Sequence, residues 1–590
     1  MASNDTVGSG ITANSTTNNS STSSSVSLLS HLQDVDFMLL ECKLVLAAVS
    51  IIYLGSHAAL RRPPSAKVTD SKKKGKKDED EDRFAQGLEP TDAIMFPVLA
   101  GIVLVGLYYL IQWLKDPAFL NKILKYYMAT MSLASVLTLY THGLDVAISL
   151  IYPTYWRAGR GSLYKADPTQ RKVLICDNVG NPSGESLDTS PLPGPLGRLL
   201  AASPQVSKLA WDWRDLLTSR WAVKLFIHGM GEEVVMIRFS HVTAFLLSIV
   251  TALTYFSTSS PFLTNMLGYA MSYSSFLILS PTDFMTGSMV LWGLFFYDIV
   301  MVFYTPYMIT VAKALDAPIK LTFEVASRKS ILGLGDIVIP GIIISWALRL
   351  DLWMHYARRI KYETTDLSIL EKDAASGEII KRSESKHREV KSPYMDARNR
   401  WGDTLWTRGV MFLSRSQDVP PEVAAARFPK VYFLASLTGY LVGMSVTLVV
   451  LVVSGHGQPA LLYLVPGVLG ALVITALARG EFKPCLWKYT ENGSLDTVDV
   501  VVELDGDGNP IKTVGLLKDG VVDLTKDEKM EKEKRESDRK EEAKAEAAKR
   551  AAEKRGHKVL VLSIEALSEW EEQEEMLTAA TEAKPAPVLD

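Results

Sequence analysis

Nine apolar stretches separated by polar segments dominate the pattern of this 590-residue chain. The fourth and fifth stretches are short, and the fifth carries Asn265 and several serines, so we expect both to face protein as much as lipid. The pattern predicts an all-α polytopic membrane protein with nine transmembrane helices. The stretches lie near 37–55, 93–113, 126–152, 239–256, 262–280, 287–310, 331–350, 431–454 and 458–478.

The polar segments are interpreted as tails, linkers and loops attached to that helical bundle. Residues 1–36, rich in Ser, Thr and Asn, are expected to form a disordered tail. The other predicted units are helices one to three (37–152) with a charged linker (61–92), an insert (153–238), helices four to seven (239–350), a basic loop (351–430), helices eight and nine (431–479) and a tail (480–590).

Local patterns predict some structure within these polar units. The first part of the insert, 153–220, is expected to hold a proline-rich turn and two short helices. Residues 497–523 alternate β-branched and polar side chains, which predicts a hairpin. Residues 526–555 are dense in Lys, Glu, Arg and Ala and predict a solvent-exposed helix. Glu41, near the start of the first apolar stretch, is expected at the membrane interface or reaching towards it.

Charge flanking the first apolar stretch predicts the orientation of the chain. Basic residues at 61–62 and 71–77 follow that stretch, and basic flanks favour the cytosolic side. The N-terminus is then luminal and, after nine crossings, the C-terminus is cytosolic, as expected of a multi-pass membrane protein. The tail agrees, because it contains N-glycosylation acceptors, although such motifs also arise by chance in Ser/Thr/Asn-rich sequence; they are Asn4, Asn14, Asn18 and Asn19.

Residue composition and short motifs limit the kinds of site that the chain could contain. The three cysteines are far apart and show no metal-ligand spacing, and the chain has neither an HExxH motif nor a P-loop. The lysine-rich run at 71–77 is followed at once by acidic residues at 78–82, which favours a solvated linker over a nucleic-acid site. We therefore expect no metal, no cofactor and no nucleic-acid partner.

Two carboxylates lie inside apolar stretches, where an ionised group is costly. Asp298 is in the sixth stretch and Asp336 in the seventh. Residues of this kind are functional candidates by default. Two carboxylates held close together share a proton, so that one can activate water while the other donates to a peptide carbonyl.

Spacing allows the two residues to meet. If the sixth helix ended near Met308 and the seventh began near Ser330, Asp298 would lie about 15 Å and Asp336 about 9 Å from the same membrane face. Gly333 and Gly335 would let another helix or a substrate backbone approach closely.

Three motifs in order along the chain carry a resemblance to a known family. Tyr297-Asp298, Gly333-Leu334-Gly335-Asp336 and Gln458-Pro459-Ala460-Leu461 resemble the signatures of the GxGD intramembrane aspartyl proteases, which include presenilins and signal peptide peptidases. The extended stretch 458–466 resembles signal peptide peptidase in particular. The resemblance covers roughly 37–115 and 220–480.

The resemblance implies a presenilin-like helical bundle in which Asp298 and Asp336 are catalytic and residues 458–461 shape the site. For Tyr297, a hydrogen bond near the dyad and simple packing both remain open. Expected substrates are transmembrane helices of remnant signal peptides and some type II membrane proteins. Homo-oligomers or partners in endoplasmic-reticulum-associated degradation are also compatible with this family.

Three alternatives are open at this stage. A presenilin-type subunit would need partner proteins and the opposite orientation. A proton-coupled transporter would also use paired intramembrane carboxylates, but it predicts internal repeats that the sequence does not show. A non-catalytic scaffold for membrane-protein degradation would keep the fold without needing both aspartates.

Overall fold

The computed structural model describes much of the chain between residues 35 and 566. The acceptors Asn4, Asn14, Asn18 and Asn19, most of the linker and the helix expected at 526–555 lie outside the described residues. The described ranges are 35–67, 86–88, 90–114, 117–157, 162–177, 179–187, 189–194, 197, 203–227, 231–258, 260–314, 319–325, 328–372, 379–407, 419–454, 458–490, 499–504, 510–518, 521–523 and 560–566.

Helices form the bulk of the described structure. They are α1 (Val35–Ala58), α2 (Pro90–Leu114), α3 (Pro117–Ile151), α4 (Pro204–Thr218), α5 (Phe239–Thr258), α6 (Pro261–Ile278), α7 (Phe284–Ile299), α8 (Tyr307–Ala314), α9 (Gly335–Ala357), α10 (Trp401–Thr407), α11 (Pro421–Ala424), α12 (Val431–Ser454) and α13 (Leu461–Ala478). Two π-helical turns cover Val300–Tyr304 and Phe482–Trp487.

Strands occupy the polar segments and the approaches to the bundle. They are β1 (Gln86–Leu88), β2 (Tyr155–Arg157), β3 (Leu163–Asp167), β4 (Lys172–Cys176), β5 (Pro182–Leu187), β6 (Arg220–Ile227), β7 (Gly231–Arg238), β8 (Leu279–Pro281), β9 (Lys320–Val325), β10 (Arg328–Gly333), β11 (Lys361–Lys372), β12 (Ile379–Val390), β13 (Asp499–Leu504), β14 (Pro510–Lys518), β15 (Val521–Asp523) and β16 (Leu560–Ala566).

Eight described helical spans are long and apolar enough to cross a membrane. The remaining predicted span corresponds to α6, which is a helix of 18 residues but is not among the eight. The polytopic helical architecture therefore agrees with the sequence, whereas the count of nine is not established. The eight spans are Met38–Ala58, Pro90–Leu114, Phe119–Ile151, Phe239–Thr258, Phe284–Tyr304, Gly335–Ala357, Val431–Ser454 and Leu461–Ala478.

Helix α9 lies at the centre of the bundle. Within its most apolar window 83% of the residues are buried, against 0% for α2, whose Val and Leu side chains stay exposed. Helices α1, α6, α12 and α13 pack against α9, and α7 contacts both α2 and α13. A helix that is apolar all round belongs inside a membrane bundle, and an exposed apolar helix belongs at the lipid boundary.

The sixth predicted span ends earlier than expected. We predicted a helix over 287–310 with a kink at Pro306; instead α7 widens into the π-helical turn at Val300 and stops at Thr305. A separate helix, α8, begins after the proline at Tyr307. Proline has no N–H and its ring clashes with the preceding turn, so the helix breaks there rather than bending.

The seventh predicted span begins later than expected. Residues 331–333, assigned by us to this helix, belong to β10, which pairs antiparallel with β9. Helix α9 begins at Gly335, so Asp336 lies in its first turn instead of six residues inside. The depth estimated from a helix beginning near Ser330 was therefore wrong. Apolar residues 331–333 fit a strand as well as a helix, and pairing with β9 selects the strand.

The described residues of the insert contain strands that the sequence did not predict, together with one short helix, α4, that agrees with it. Strands β2 to β5 form a four-stranded antiparallel sheet, and α4 is a helix beside it. Asp167 accepts hydrogen bonds from the amide and hydroxyl of Thr169, which closes the β3–β4 turn together with Arg171 at φ 52°. Asx turns of this kind compete with helix formation.

Distant polar segments combine into one barrel. The predicted hairpin near 497–523 is present as β13 and β14, paired antiparallel. It joins β11, β12 and β15 in a closed five-stranded barrel, so the basic loop and the C-terminal tail form one unit. Strand β16 from the tail pairs with β6 of the insert.

Glu41 departs from the expected interface position. Its side chain is buried within the bundle at 7% exposure. The hydroxyl of Ser330 on β10 is the neighbouring polar group. Helix α1 packs on α9 and on the β9–β10 hairpin, so its sequence position near a helix start did not leave Glu41 at the surface.

Candidate active site

Asp298 lies near the C-terminal end of α7 and is held by the start of α13. It is buried at 5% exposure, and its Oδ2 accepts a hydrogen bond from the backbone N–H of Leu461 at 3.2 Å. Leu461 is the first residue of α13, and the first N–H groups of a helix have no partner within it. Asp298 therefore takes a donor that the motif at 458–461 leaves free.

The next backbone groups of that motif are satisfied locally. The N–H of Leu462 donates to the carbonyl of Pro459, and the N–H groups of Tyr463 and Leu464 both donate to Ala460. Pro459 itself has no N–H. The motif therefore builds a helix start with one donor, that of Leu461, directed at a carboxylate.

Asp336 lies in the first turn of α9. The hydroxyl of Tyr440, a fully buried residue of α12, donates to the backbone carbonyl of Asp336 at 3.4 Å. Asp298 is hydrogen-bonded to Leu461, and the preceding residue, Ala460, lines the same cavity as Asp336, so both carboxylates lie at the start of α13. Helices α7, α9, α12 and α13 thus all contribute to this site.

A small cavity opens beside Asp336. It measures about 30 Å³, room for about one or two water molecules. Gln458 and Ala460 of the predicted motif line it, together with apolar side chains of α1, β10 and α12. The structure thus brings the second and third motifs together around a space of the size that a reacting water needs.

The glycines of the second motif have different surroundings. A Cβ built on Gly333 would lie 3.4 Å from Oδ2 of Asp336, in van der Waals contact with the carboxylate. Gly335 is exposed, and a Cβ there would meet only Ile339 at 3.7 Å. Leu334 joins strand to helix, because its N–H donates to Ile319 and its carbonyl accepts from the first turn of α9.

Tyr297 lies against α2. A Cβ built on Gly101 would be 3.8 Å from its ring, and the Tyr297 hydroxyl has no hydrogen bond that we find among the described residues. Of the two roles left open by the sequence, this position supports packing. Gln458 lines the cavity, and its amide donates weakly to Ser454 at 3.4 Å.

The glycines that place α13 against α12 were not predicted from the sequence. A Cβ on Gly439 would collide with the carbonyl oxygen of Gly467, and one on Gly443 would lie 2.8 Å from the carbonyl oxygen of Tyr463. The spacing Gly439-x-x-x-Gly443 in an apolar segment is the available signal, since small residues let membrane helices approach closely. Tyr440 lies between these glycines and had no signal of its own.

At the far end of the bundle, Glu481 joins three site-bearing helices. It accepts hydrogen bonds from Arg358 after α9, from Tyr432 in α12 and from Arg479 after α13, at 2.7, 2.9 and 2.9 Å. Beside it, the Asp351 carboxylate accepts from the N–H groups of Tyr432 and Phe433 at the start of α12. These contacts set the relative positions of α9, α12 and α13.

Glu481→Gln is expected to lower the stability of the protein at neutral pH by about 1 kcal/mol. Burial alone would raise the pKa of Glu481, but hydrogen bonds from Arg479 and Tyr432 and the Arg358 charge hold it below the ordinary value. A carboxylate with a lowered folded pKa stabilises above its unfolded pKa, about 4.3, and loses this contribution as pH falls through the folded value.

Melting curves of detergent-solubilised protein measure this effect. The gap between parent and Glu481→Gln should be present at pH 7 and shrink below about pH 4. Asp212→Asn is the control, since Asp212 forms an exposed pair with Arg171 at 47% side-chain exposure on both sides. A gap that is constant with pH would contradict the assignment.

No metal site is found in the part of the chain that the structure describes. Within those ranges, no three His, Cys, Asp or Glu side chains converge as a metal site would require.

Two buried or half-buried carboxylates thus lie on adjacent helices of a polytopic bundle, next to a small cavity. Comparison with known proteins identifies the family of the chain. The family model for signal peptide peptidase matches residues 79–493, more than half of the chain. This chain therefore belongs to the signal peptide peptidase family, whose members are intramembrane proteases that act on membrane-embedded substrates.

Curated relatives agree with this membership. The chain is 28% identical to the signal peptide peptidase of Homo sapiens over 295 residues, 48% of this chain and 59% of the human protein. It is 32% identical to intramembrane protease 2 of Caenorhabditis elegans over 241 residues, 39% of each chain. A probable intramembrane protease of Saccharomyces cerevisiae is 23% identical over 446 residues, 71% of this chain and 62% of the yeast protein.

These matches have defined limits. The chain covers less than two thirds of the length of the human and C. elegans relatives. No solved structure matches the chain significantly.

Proposed function

We propose that this protein is an intramembrane aspartyl endopeptidase in which Asp298 and Asp336 activate one water molecule. Its substrates are peptide bonds within transmembrane helices of remnant signal peptides and some type II membrane proteins. The observation that supports this proposal is the joint site: the N–H of Leu461 donates to Asp298, and Asp336 lines a cavity large enough for a water molecule. No step requires a metal or a cofactor.

The geometry suggests how the two carboxylates divide the work. A hydrogen bond donated to a carboxylate favours its ionised form, so Asp298 is assigned as the base and Asp336 as the acid. Asp298 takes a proton from water as the water oxygen attacks the peptide carbonyl carbon, and Asp336 gives its proton to the carbonyl oxygen. The C–N bond of the tetrahedral intermediate then breaks as the proton on Asp298 passes to the leaving amine. One hydroxyl of the intermediate returns a proton to Asp336 as the C=O bond reforms, which gives the carboxylic acid and restores the dyad.

A substrate helix must unwind before this reaction, because its peptide bonds are buried in its own hydrogen bonds. Strand β10 leads directly into Asp336 and offers an extended template beside the site. Strand addition to such an edge would hold the unwound segment through main-chain hydrogen bonds. Ile331 and Leu332 of β10 line the same cavity as Asp336.

The test is cleavage of a synthetic signal-peptide helix by the purified full chain in detergent, with products located by mass spectrometry. The parent should cut within the apolar segment, and Asp298→Asn/Asp336→Asn should not. If the parent does not cut, the proposal fails. Proton-driven flux by the parent in vesicles would then point to a transporter, and degradation-partner binding without flux to a scaffold.

We further propose that the protein resides in the endoplasmic reticulum membrane with a luminal N-terminus and a cytosolic C-terminus. The basic residues after α1 support this orientation. Glycosidase treatment of protein expressed in eukaryotic cells should shift the parent on gels, and the shift should be lost when Asn4, Asn14, Asn18 and Asn19 are all changed to Gln. A shift that survives in the variant, or glycan at an engineered acceptor in the C-terminal tail, would contradict the orientation.

A further inference from the structure

Asn265 of α6 binds the backbone of β9 through both ends of its amide. Its Nδ2 donates to the carbonyl oxygen of Thr322 at 2.6 Å, and its Oδ1 accepts from the N–H of Thr322 at 2.8 Å. This two-way exchange is the one that a neighbouring antiparallel strand makes with a residue on its edge. The side chain therefore takes the place of a strand beside β9.

The register of the hairpin shows which edge this is. The N–H of Leu334 donates to the carbonyl of Ile319, so these two residues form a hydrogen-bonded pair. Because hydrogen-bonded and non-hydrogen-bonded pairs alternate along an antiparallel ladder, every second pair counted from this one is hydrogen-bonded as well. Thr322 and Ile331 are opposite one another in the alternate, non-hydrogen-bonded class of pair. Their N–H and C=O groups consequently point away from the hairpin, those of Thr322 to Asn265 and those of Ile331 to the opposite edge.

The opposite edge is the one next to the candidate catalytic site. Ile331 lines the cavity that Asp336 faces, and β10 runs into the turn before Asp336. One edge of the two-stranded sheet is therefore occupied by a side chain of α6. The other presents its backbone beside the dyad.

We propose that Asn265 is a positioning residue for the cleavage reaction. It occupies the outer edge of β9 and ties the hairpin to α6, so that an unwound substrate adds only at β10 and in one register. This inference rests on the proposed protease function and extends it to the choice of the bond that is cut. Asn265 does not touch the reacting atoms.

Two physical effects support a role beyond local stability. Without the amide, the N–H and C=O of Thr322 would lose the partner that they have in α6, and the hairpin would be free to move. The β9 edge would also become open to strand addition. A strand that slips in register does so by two residues, because a slip of one would turn its side chains to the other face.

The experiment compares the full-length parent with Asn265→Leu, which keeps the size of the side chain and removes both hydrogen bonds. Thr264→Val is the matched control, since the Thr264 hydroxyl donates only within its own helix to Ser260. The readouts are the cleavage positions on a synthetic signal-peptide helix, KM and kcat, and amide hydrogen exchange of peptides covering 319–334.

Asn265→Leu is expected to raise KM at least about fivefold, to add products displaced by two residues, and to speed exchange at Thr322 at least about tenfold. Thr264→Val should match the parent in all three. A single unchanged cleavage position with unchanged exchange in Asn265→Leu would overturn the proposal. So would faster exchange with unchanged cleavage positions, since this would reduce Asn265 to a structural residue.

A second variant keeps the proposal testable if Asn265→Leu fails to fold. Thr322→Pro removes the backbone N–H that donates to Asn265. This N–H is not part of the β9–β10 ladder, and an edge strand tolerates proline at a position whose N–H points away from the ladder. It should reproduce the displaced products, whereas Thr322→Val, which retains the N–H, should not. Parent-like products from Thr322→Pro would also overturn the inference.

The two proposals fail in different ways. If the parent cuts and Asp298→Asn does not, but every variant at 264, 265 and 322 cuts like the parent, only the role of Asn265 is wrong. If the parent cuts nothing, the protease function itself is wrong, and faster exchange in Asn265→Leu would then mark a purely structural contact.

Discussion

Asp336→Asn and Asp298→Asn are each expected to lower the rate of peptide-bond cleavage by at least about 10³-fold while leaving the protein folded. An amide at either position cannot exchange the proton that the reaction passes between water, the carboxylates and the peptide. The side chain has nearly the same shape, so the hydrogen bond from Leu461 to position 298 can persist through the amide oxygen. The loss should therefore appear in kcat more than in KM.

The double variant separates a shared mechanism from two independent effects. Groups that act as one unit are strongly non-additive, so Asp298→Asn/Asp336→Asn should be no slower than either single variant. Asp145→Asn is the control. Asp145 lies in α3, outside the candidate site, and its carboxylate forms an ion pair with Arg238 at 3.0 Å. Cleavage by either single variant within tenfold of the parent would contradict the dyad.

Gly439→Leu is expected to destabilise the protein by about 3 kcal/mol or more and to abolish cleavage with it. A side chain at 439 has no room, because even its Cβ would collide with the carbonyl oxygen of Gly467 on α13. Helix α13 would have to move away from α12. Since α13 carries Leu461, the donor to Asp298 would move too.

Gly470→Leu is the matched control on α13, because a Cβ there meets nothing within 4 Å. Melting curves in detergent and cleavage rates should show a large loss for Gly439→Leu and almost none for Gly470→Leu. If both variants melt like the parent, the close approach of α12 and α13 is not what holds the site. If both melt early, the effect reflects lipid contacts rather than helix packing.

The candidate site was predicted in part by residue type and order. An Asp inside an apolar stretch needs a reason, and Asp298 and Asp336 stood out without any structure. Their partners did not. Leu461 donates through its backbone, Tyr440 reaches Asp336 across 104 positions of sequence, and neither contact leaves a mark in local composition.

The errors have one cause. Residues 331–333 were assigned to a helix because an apolar run alone does not distinguish helix from buried strand. The strands of the insert were not predicted, because their pairing partners are not visible within a short segment of sequence. In both places the outcome depended on a strand elsewhere, β9 for the first and the neighbouring strands of the sheet for the second.

The sequence by itself determined the polytopic helical architecture, the hairpin of β13 and β14 and the positions of the two carboxylates in apolar stretches, because each depends on hydrophobic burial or turn chemistry within a short segment. Only the tertiary structure decided that Asn265 hydrogen-bonds to the edge of β9, that Gly439 allows α13 to approach α12 closely, and that the Leu461 N–H donates to Asp298. These are contacts between distant segments, and a backbone N–H or a glycine carries no information about its partner until the helices are packed.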